Sequence, residues 1–273
     1  MAARELFISQ PAVSVAIRQL EERYGKRLLI RSSKGIRPTV EGKALYDYLV
    51  QAMSLIQTAE NKYFRLVGLE EGAITIGASD TILSNFLLPY IDRFLNKHPK
   101  VTIKITNNLT RDTIQLLKVG EIDLGFVNMP IVQDDQLELH ECMSLNDRLF
   151  GGAKYRRLSE TGLHIKKLND YPLLMLEKTS STRRFHDSFA ESNGVILKPA
   201  IELSSTDLLL KFAKINLGLA FAAREFIPER AAGLYEIPLT PALPARSIGL
   251  VRLAGIPMSF AAAEFIELIK SRD

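Results

Sequence analysis

From residue 72 to the end of the chain, short apolar runs alternate with amphipathic helical stretches, and this rhythm constrains the fold more than any other feature. "AITIGAS" (73–79) is an apolar strand ending in small residues, and "TILSNFLLPYIDRFLNKHP" is a helical stretch closed by Pro99. "VTIKITN" (101–107) alternates with period two, "TRDTIQLLKVGEI" returns to helical spacing, and "DLGFVN" (123–128) reads as a buried strand. "YPLLMLEK" (171–178), a helix at about 181–193, "KPAIEL" (198–203), a helix at 206–215 and "LGLAFAA" (217–223) repeat the rhythm. Strands separated by helices imply parallel sheets with right-handed crossovers, so the body is expected to hold two α/β lobes. "SIGLVRL" (247–253) and the closing helix "SFAAAEFIELIKSR" are expected to return to the first lobe. Lobe 1 is then about 72–129 and 247–273, lobe 2 about 130–246, with hinge crossovers near 129–130 and 240–247.

At about 150 residues per domain, 273 residues suggest two domains. The single cysteine, Cys142, excludes an internal disulfide framework and fits a reducing compartment. No stretch approaches the roughly 20 apolar residues of a membrane span, and "MAARELF" lacks the apolar core of a secretory signal. A cytoplasmic protein with no membrane partner is expected. The net charge of +4 is unevenly spread. Residues 1–69 hold 11 Lys and Arg against 6 Asp and Glu, and the remaining 204 hold 24 against 25. A basic module on a near-neutral body suggests a polyanion partner for the module alone.

In that module, residues 2–7 read as a short helix and Ser9 as the cap of a second, with Pro11 in its first turn. Val13, Ile17, Leu20 and Tyr24 form one apolar face, and Gly25 ends the helix. Gln10, Ser14 and Arg18, also at i, i+4 spacing, point away from the core. Short helix, turn, second helix with polar groups near its start is helix-turn-helix geometry, although a surface helix of any helical domain has the same periodicity. Gln suits adenine edges, Arg suits guanine edges or phosphate, and Ser suits either. The following "KRLLIRSSKGIRPTVEGKALYDYL" reads as a hairpin with Arg31, Lys34 and Arg37 around Gly35, placed to lie along phosphates.

"ISQPAVSVAIRQLEERYGKRLLIRSSKGIRPTVEGKALY" resembles the winged helix-turn-helix of LysR-type transcriptional regulators. The matching residues are Ser9 to Ser14, Ile17, Leu20-Glu21, Gly25, Leu28-Leu29, Arg31, Thr39 and Glu41-Gly42. The resemblance implies that the helix starting near Gln10 enters the major groove, and that a further helix precedes "AARELF". Residues 1–38 are therefore read as a winged helix-turn-helix lacking its first helix. The DNA-binding residues expected are Ser9, Gln10, Pro11, Ser14, Arg18, Arg31, Lys34 and Arg37.

From Thr39 to about Val67 the chain has no Pro, and its one Gly is Gly42 in the first turn. Leu45, Tyr48, Ala52, Leu55, Ala59 and Leu66 follow a 3-4 alternation, broken by Lys62. A long amphipathic helix between two domains needs a partner for its seam, and a second copy of the chain is the simplest one. Residues 39–69 are read as a dimerising linker helix, and the resemblance implies dimers and tetramers. Gly68 and "EEG" (70–72) mark the boundary with the body, 72–273.

The body resembles the effector-binding domain of the same family, which is like a periplasmic binding protein. "ITIGAS", "LLPYIDRFLNKHPKVTIKI", "LLKVGEIDLGFV" and "FAKINLGLAFAA" carry the likeness. In open α/β sheets, ligands sit outside the carboxyl ends of strands, where helix N-termini present free N–H groups. Those ends carry Ser79, Thr81, Thr110, Ser180 to Thr182 and Ser204 to Thr206. Each could be a plain helix cap, but their recurrence suits a small anion such as a carboxylate. The effector-binding set is Ser79, Thr81, Thr110, Asn128, Ser180, Ser205 and Phe221, and the resemblance favours Ser79, Thr110 and Ser205. Arg183 could add positive charge.

Catalysis is not expected. The histidines, His98, His140, His164 and His186, lack metal-ligand spacing, and Cys142 has no CxxC partner. No GxSxG elbow or Walker loop occurs. His186, Asp187 and Ser188 would face different directions on a helix. No cofactor or metal is expected. The chain reads as a ligand-responsive regulator of operator DNA; the alternative is a solute-binding protein that captures a small ligand without DNA.

Overall fold

The computed structural model of the chain describes residue 3 and residues 7–32, 35–66, 72–228 and 232–271. The side chains of residues 31, 32, 62 and 64–66 also fall outside the description. Lys34, the Arg31 side chain, most of the helix expected over 2–7, and Gly68 therefore lie outside the described residues. The chain forms two compact units, 1–56 and 57–273.

In the first unit, α1 (Gln10–Tyr24) starts at Ser9, whose hydroxyl accepts from the Ala12 N–H at 3.3 Å, with Pro11 in the first turn. Gly25 adopts φ +63°, and the N–H groups of Gly25 and Lys26 donate to Glu22 and Glu21 carbonyls, which is a Schellman stop. The Glu21 carboxylate then accepts from the backbone N–H of Leu28 (2.8 Å) and Leu29 (3.2 Å). That carboxylate ties the helix to β1 (Leu29–Ser32), which pairs antiparallel with β2 (Gly35–Pro38). Thr39 closes the motif: its N–H reaches Leu28 O at 2.9 Å and its hydroxyl caps α2 (Val40–Leu66) through Gly42 N–H at 2.9 Å.

α2 has 27 residues, about 40 Å at ~1.5 Å per residue. Along its expected seam, Tyr48, Ala52, Leu55 and Ala59 are exposed and Leu45 is half-buried. An adjoining row, Leu49, Met53, Ile56 and Tyr63, is exposed too.

The second unit holds two five-stranded sheets of matching plan. The first is built from β3 (Ala73–Ala78), β4 (Thr102–Asn107), β5 (Leu124–Asn128), β6 (Leu137–Leu145) and β14 (Arg246–Leu253), in the order β4-β3-β5-β14-β6. The second is built from β7 (Asp147–Gly151), β9 (Leu173–Leu176), β10 (Pro199–Leu203), β11 (Leu219–Ala223) and β12 (Tyr235–Ile237), in the order β10-β9-β11-β7-β12. A two-stranded parallel pair, β8 (Leu163–His164) with β13 (Leu239–Thr240), completes the strands.

The fold departs from expectation in two places. The sheets are mixed: four strands of each run the same way, but β14 runs antiparallel to its neighbours β5 and β6, and β7 to its neighbours β11 and β12. The strand that has crossed from the other lobe enters from the opposite end, which reverses its direction. The lobe boundary also moves. The first sheet includes β6, held along β14 from Arg246↔Leu145 to Leu253↔Leu137, so the chain leaves lobe 1 at Asn146 rather than at 129–130.

Helices pack on both sheets. α3 (Asp80–Ile82) runs through a π turn (Leu83–Leu87) into α4 (Leu88–Lys97), and the Leu88 N–H donates to Leu83 O, five residues back. Pro89 cannot donate and its ring crowds the carbonyl four residues earlier, so the wider turn accommodates it. α5 (Thr110–Lys118) follows β4, α6 (Arg156–Thr161) precedes β8, α7 (Ser181–Ser192) and α8 (Thr206–Lys214) flank β10, and α9 (Phe260–Lys270) ends the fold. α9 returns to lobe 1, where Phe94, Phe126 and Phe265 share a core, Phe94 and Phe265 edge to face at 5.3 Å. Lobe 2 packs separately around Leu149, Leu173, Met175, Leu219 and Ile237.

Candidate functional site

Four helix starts meet at the carboxyl edges of the two sheets: Asp80, Thr110, Ser181 and Thr206. Between them lies a cleft of about 670 Å³. All seven sequence-predicted residues, Ser79, Thr81, Thr110, Asn128, Ser180, Ser205 and Phe221, line it. The volume lies within the range of small-molecule sites.

The hydroxyls do different things. Ser180 and Ser205 cap α7 and α8, accepting from Arg183 N–H and Leu208 N–H at 3.4 Å each. Thr110 Oγ1 accepts from Asn128 N–H at 3.2 Å and meets Ser181 Oγ of the other lobe at 3.0 Å. Thr81 Oγ1 donates to Thr206 Oγ1 across the cleft at 3.4 Å. Ser79 sits at a helix start but caps nothing, and its buried Oγ has no hydrogen-bond partner. A buried hydroxyl without a partner is costly in a native fold, and at the cleft wall Ser79 Oγ is free to bond a ligand atom.

Helix starts carry about half a positive charge each. Opposing them, the exposed Asp80 and Asp207 stand at the cleft. The cationic residue lining the cleft is Arg246, not Arg183. Arg183, in the first turn of α7, is fully buried; its Nε donates to both Asp187 oxygens at 2.9 Å and its Nη1 to Leu176 O and the Glu202 carboxylate. Its i, i+4 partner Asp187 captures it away from the cleft.

Sequence reasoning missed a buried polar cluster that reaches the cleft through Arg246. Arg246 donates through Nε and Nη2 to the two oxygens of Asp147 (2.7 and 2.9 Å) and through Nη1 to Asn128 Oδ1 (2.6 Å). His186 Nε2 meets the same Asp147 carboxylate at 2.8 Å, and its ring packs on Phe221. Burial pushes the Asp147 carboxyl up, but the His186 and Arg246 bonds outweigh it and hold the group well below the usual carboxylate range. The one signal in the sequence was a charge at the start of each apolar strand, "DRLFG" and "RSIGLVRL".

In the first unit, Ser9, Gln10, Pro11 and Arg18 are exposed on or beside α1, and Ser14 is half-buried. Arg37 is exposed on β2, opposite Ile30. Among the described residues, no group of three or more His, Cys, Asp or Glu could hold a metal ion, and no helix is long and apolar enough to cross a membrane.

A two-lobed α/β body with a hydroxyl-lined cleft, on one chain with a capped helix that leads into a hairpin, has the make-up of a ligand-responsive DNA-binding regulator. The chain belongs to the LysR family of transcriptional regulators: residues 68–273 match the LysR substrate binding domain and residues 1–43 the bacterial regulatory helix-turn-helix of that family. It is 26% identical over 242 residues to the HTH-type transcriptional regulator AlsR of Bacillus subtilis, covering 88% of this chain and 78% of AlsR. A full-length OxyR variant from Pseudomonas aeruginosa has a similar structure, with a TM-score of 0.75 at 20% identity over 99% of this chain and 88% of OxyR. The regulatory domain of Synechocystis CcmR in complex with 2-PG gives 0.66 at 18% identity over 72% and 95%. The family's role in transcription sets aside both catalysis and solute capture.

Proposed function

We propose that this regulator senses a small anionic metabolite held between the two lobes, with operator DNA held by the first unit. The observation that carries the reading is the convergence of four helix starts and seven hydroxyl, amide and aromatic residues on one cleft, with the Ser79 hydroxyl unpartnered inside it. The complex of the CcmR regulatory domain with 2-PG supports a small-molecule occupant on a similar fold. In this reading residues 1–38 bind DNA, 39–69 pair two chains, and 72–273 bind effector. Ser9, Gln10, Pro11, Ser14 and Arg18 face the bases and nearby phosphates, while Arg31, Lys34 and Arg37 follow the backbone. The exposed seam of α2 supports a dimer; tetramers built from dimers and a cytoplasmic location belong to the same reading.

The test is a thermal-shift screen of small carboxylates, phosphates and amino acids against the full chain. A ligand that binds the native state alone raises the melting temperature. The shift should disappear in Ser79→Tyr, which puts a bulky ring into the cleft. A ligand whose shift survives Ser79→Tyr binds elsewhere and overturns the assignment.

A further inference from the structure

Six residues close a ring of hydrogen bonds that passes through both lobes. Starting on α7, Ser181 meets Thr110 at 3.0 Å, and Thr110 Oγ1 accepts from Asn128 N–H at 3.2 Å. Asn128 Oδ1 accepts from Arg246 at 2.6 Å, and Arg246 grips Asp147 with two bonds of 2.7 and 2.9 Å. Asp147 meets His186 at 2.8 Å, which is back on α7, five residues from the start.

The ring crosses between the lobes twice. One crossing, Thr110 to Ser181, lies at the cleft. The other, Arg246 to Asp147, lies where the chain itself crosses: Asp147 opens β7 just after Asn146, and Arg246 opens β14 on the return. Arg246, Asp147 and His186 are all buried. A buried ion pair adds little net stability over a well-packed apolar pair, whereas the two-bond grip of a guanidinium on a carboxylate fixes geometry closely. The ring is therefore suited to fixing an angle.

We propose that Arg246 is a positioning residue for effector binding. It ties the start of α7 and the end of β5, both at the cleft, to the strands at the hinge, so that cleft occupancy and lobe angle change together. This rests on the reading of the cleft as the effector site. A ligand that parts Thr110 from Ser181 opens one side of the ring, and the Arg246 side then sets the axis about which lobe 2 moves. Asn128 transmits between them, because its N–H serves Thr110 and its side chain serves Arg246.

The experiment measures the distance between lobes by pulsed electron paramagnetic resonance on the full chain without ligand. Cys142 is replaced by Ala, and spin labels are placed at Lys104→Cys on β4 and Glu191→Cys on α7, both exposed positions. Labelled chains are diluted with unlabelled ones so that each pair of spins belongs to one chain. The wild-type ring should give one narrow distance distribution. Asn128→Ala, Arg246→Lys and His186→Ala should at least double its width, whereas His186→Gln, which keeps an N–H for Asp147, should restore it. Arg252→Gln, which breaks the Arg252–Glu138 pair within the first sheet, should leave it narrow. If Arg246→Lys fails to fold by circular dichroism, Asn128→Ala decides. An unchanged width in Asn128→Ala, equal broadening in Arg252→Gln, or a wild-type distribution as wide as the variants' overturns the proposal. Since no ligand is used, that failure would leave the effector cleft standing.

Discussion

At the scale of single residues, Asp147 concentrates the chemistry of the body. It is fully buried, yet Arg246 supplies two hydrogen bonds and a compensating charge and His186 a third bond, which together favour the ionised carboxylate. Removing one partner of such a group strands the other, so Asp147→Ala should destabilise the body by about 3–5 kcal/mol in urea denaturation. The pH dependence has a definite sign. The folded-state pKa lies below the unfolded value of about 3.9, so the contribution is fully present above that pH and is lost as pH falls toward the folded value. Urea midpoints of the wild type should therefore drop more steeply below about pH 4 than those of Asp147→Asn. Equal slopes would mean that the carboxylate is not held in the ionised state. Ser79 behaves oppositely: Ser79→Ala removes an unpaired buried hydroxyl and should leave stability unchanged or slightly raised while effector affinity falls.

At the scale of elements, the join between the hairpin and α2 leaves no room for a side chain at Gly42. A Cβ on Gly42 would lie 2.0 Å from the carbonyl oxygen of Leu28, which already accepts the Thr39 N–H. Backbone cannot yield as a side chain can, so Gly42→Ala should cost the unit about 3 kcal/mol, read as a lower melting temperature by circular dichroism. Further along α2, Leu55→Asp puts a charge on the exposed seam and should weaken self-association at least tenfold, or about 1.4 kcal/mol, in sedimentation. Many of these elements were legible beforehand because strands buried on both faces, such as "DLGFVN" and "LGLAFAA", are unbroken apolar runs between helical periods. β6 was not legible. It is an edge strand in which residues 138–141 are all exposed, and its partner β14 lies some hundred residues away in sequence. The cleft hydroxyls were legible because caps follow strands at fixed offsets. Arg246 and Asp147, 99 residues apart, make no local pattern and become a pair only when the two crossovers are brought together.

At the scale of the molecule, the charge division assigns different work to the two ends of the chain. Residues 1–69 carry an excess of five positive charges, while the rest carry 24 Lys and Arg against 25 Asp and Glu. Affinity for DNA from the basic end should fall with salt, each phosphate contact contributing a slope of about −0.9 on a log–log plot. Arg37 is exposed on the hairpin and Gln10 on the first turn of α1, so the two should fail in different ways. Arg37→Ala should weaken binding to all sequences and flatten the salt slope by about one unit per chain, two for a dimer. Gln10→Ala should keep the slope and lose about 1–3 kcal/mol of discrimination at one base pair of each half-site. Fluorescence anisotropy with an operator selected from random duplexes, and a scrambled duplex beside it, measures both quantities across salt. If Gln10→Ala flattened the slope and kept the ratio of operator to scrambled affinity, Gln10 would be a phosphate contact. The major-groove face of α1 would then have to be assigned elsewhere. A reversal by Arg37→Ala, with slope kept and ratio lost, would place the hairpin against bases rather than along the backbone.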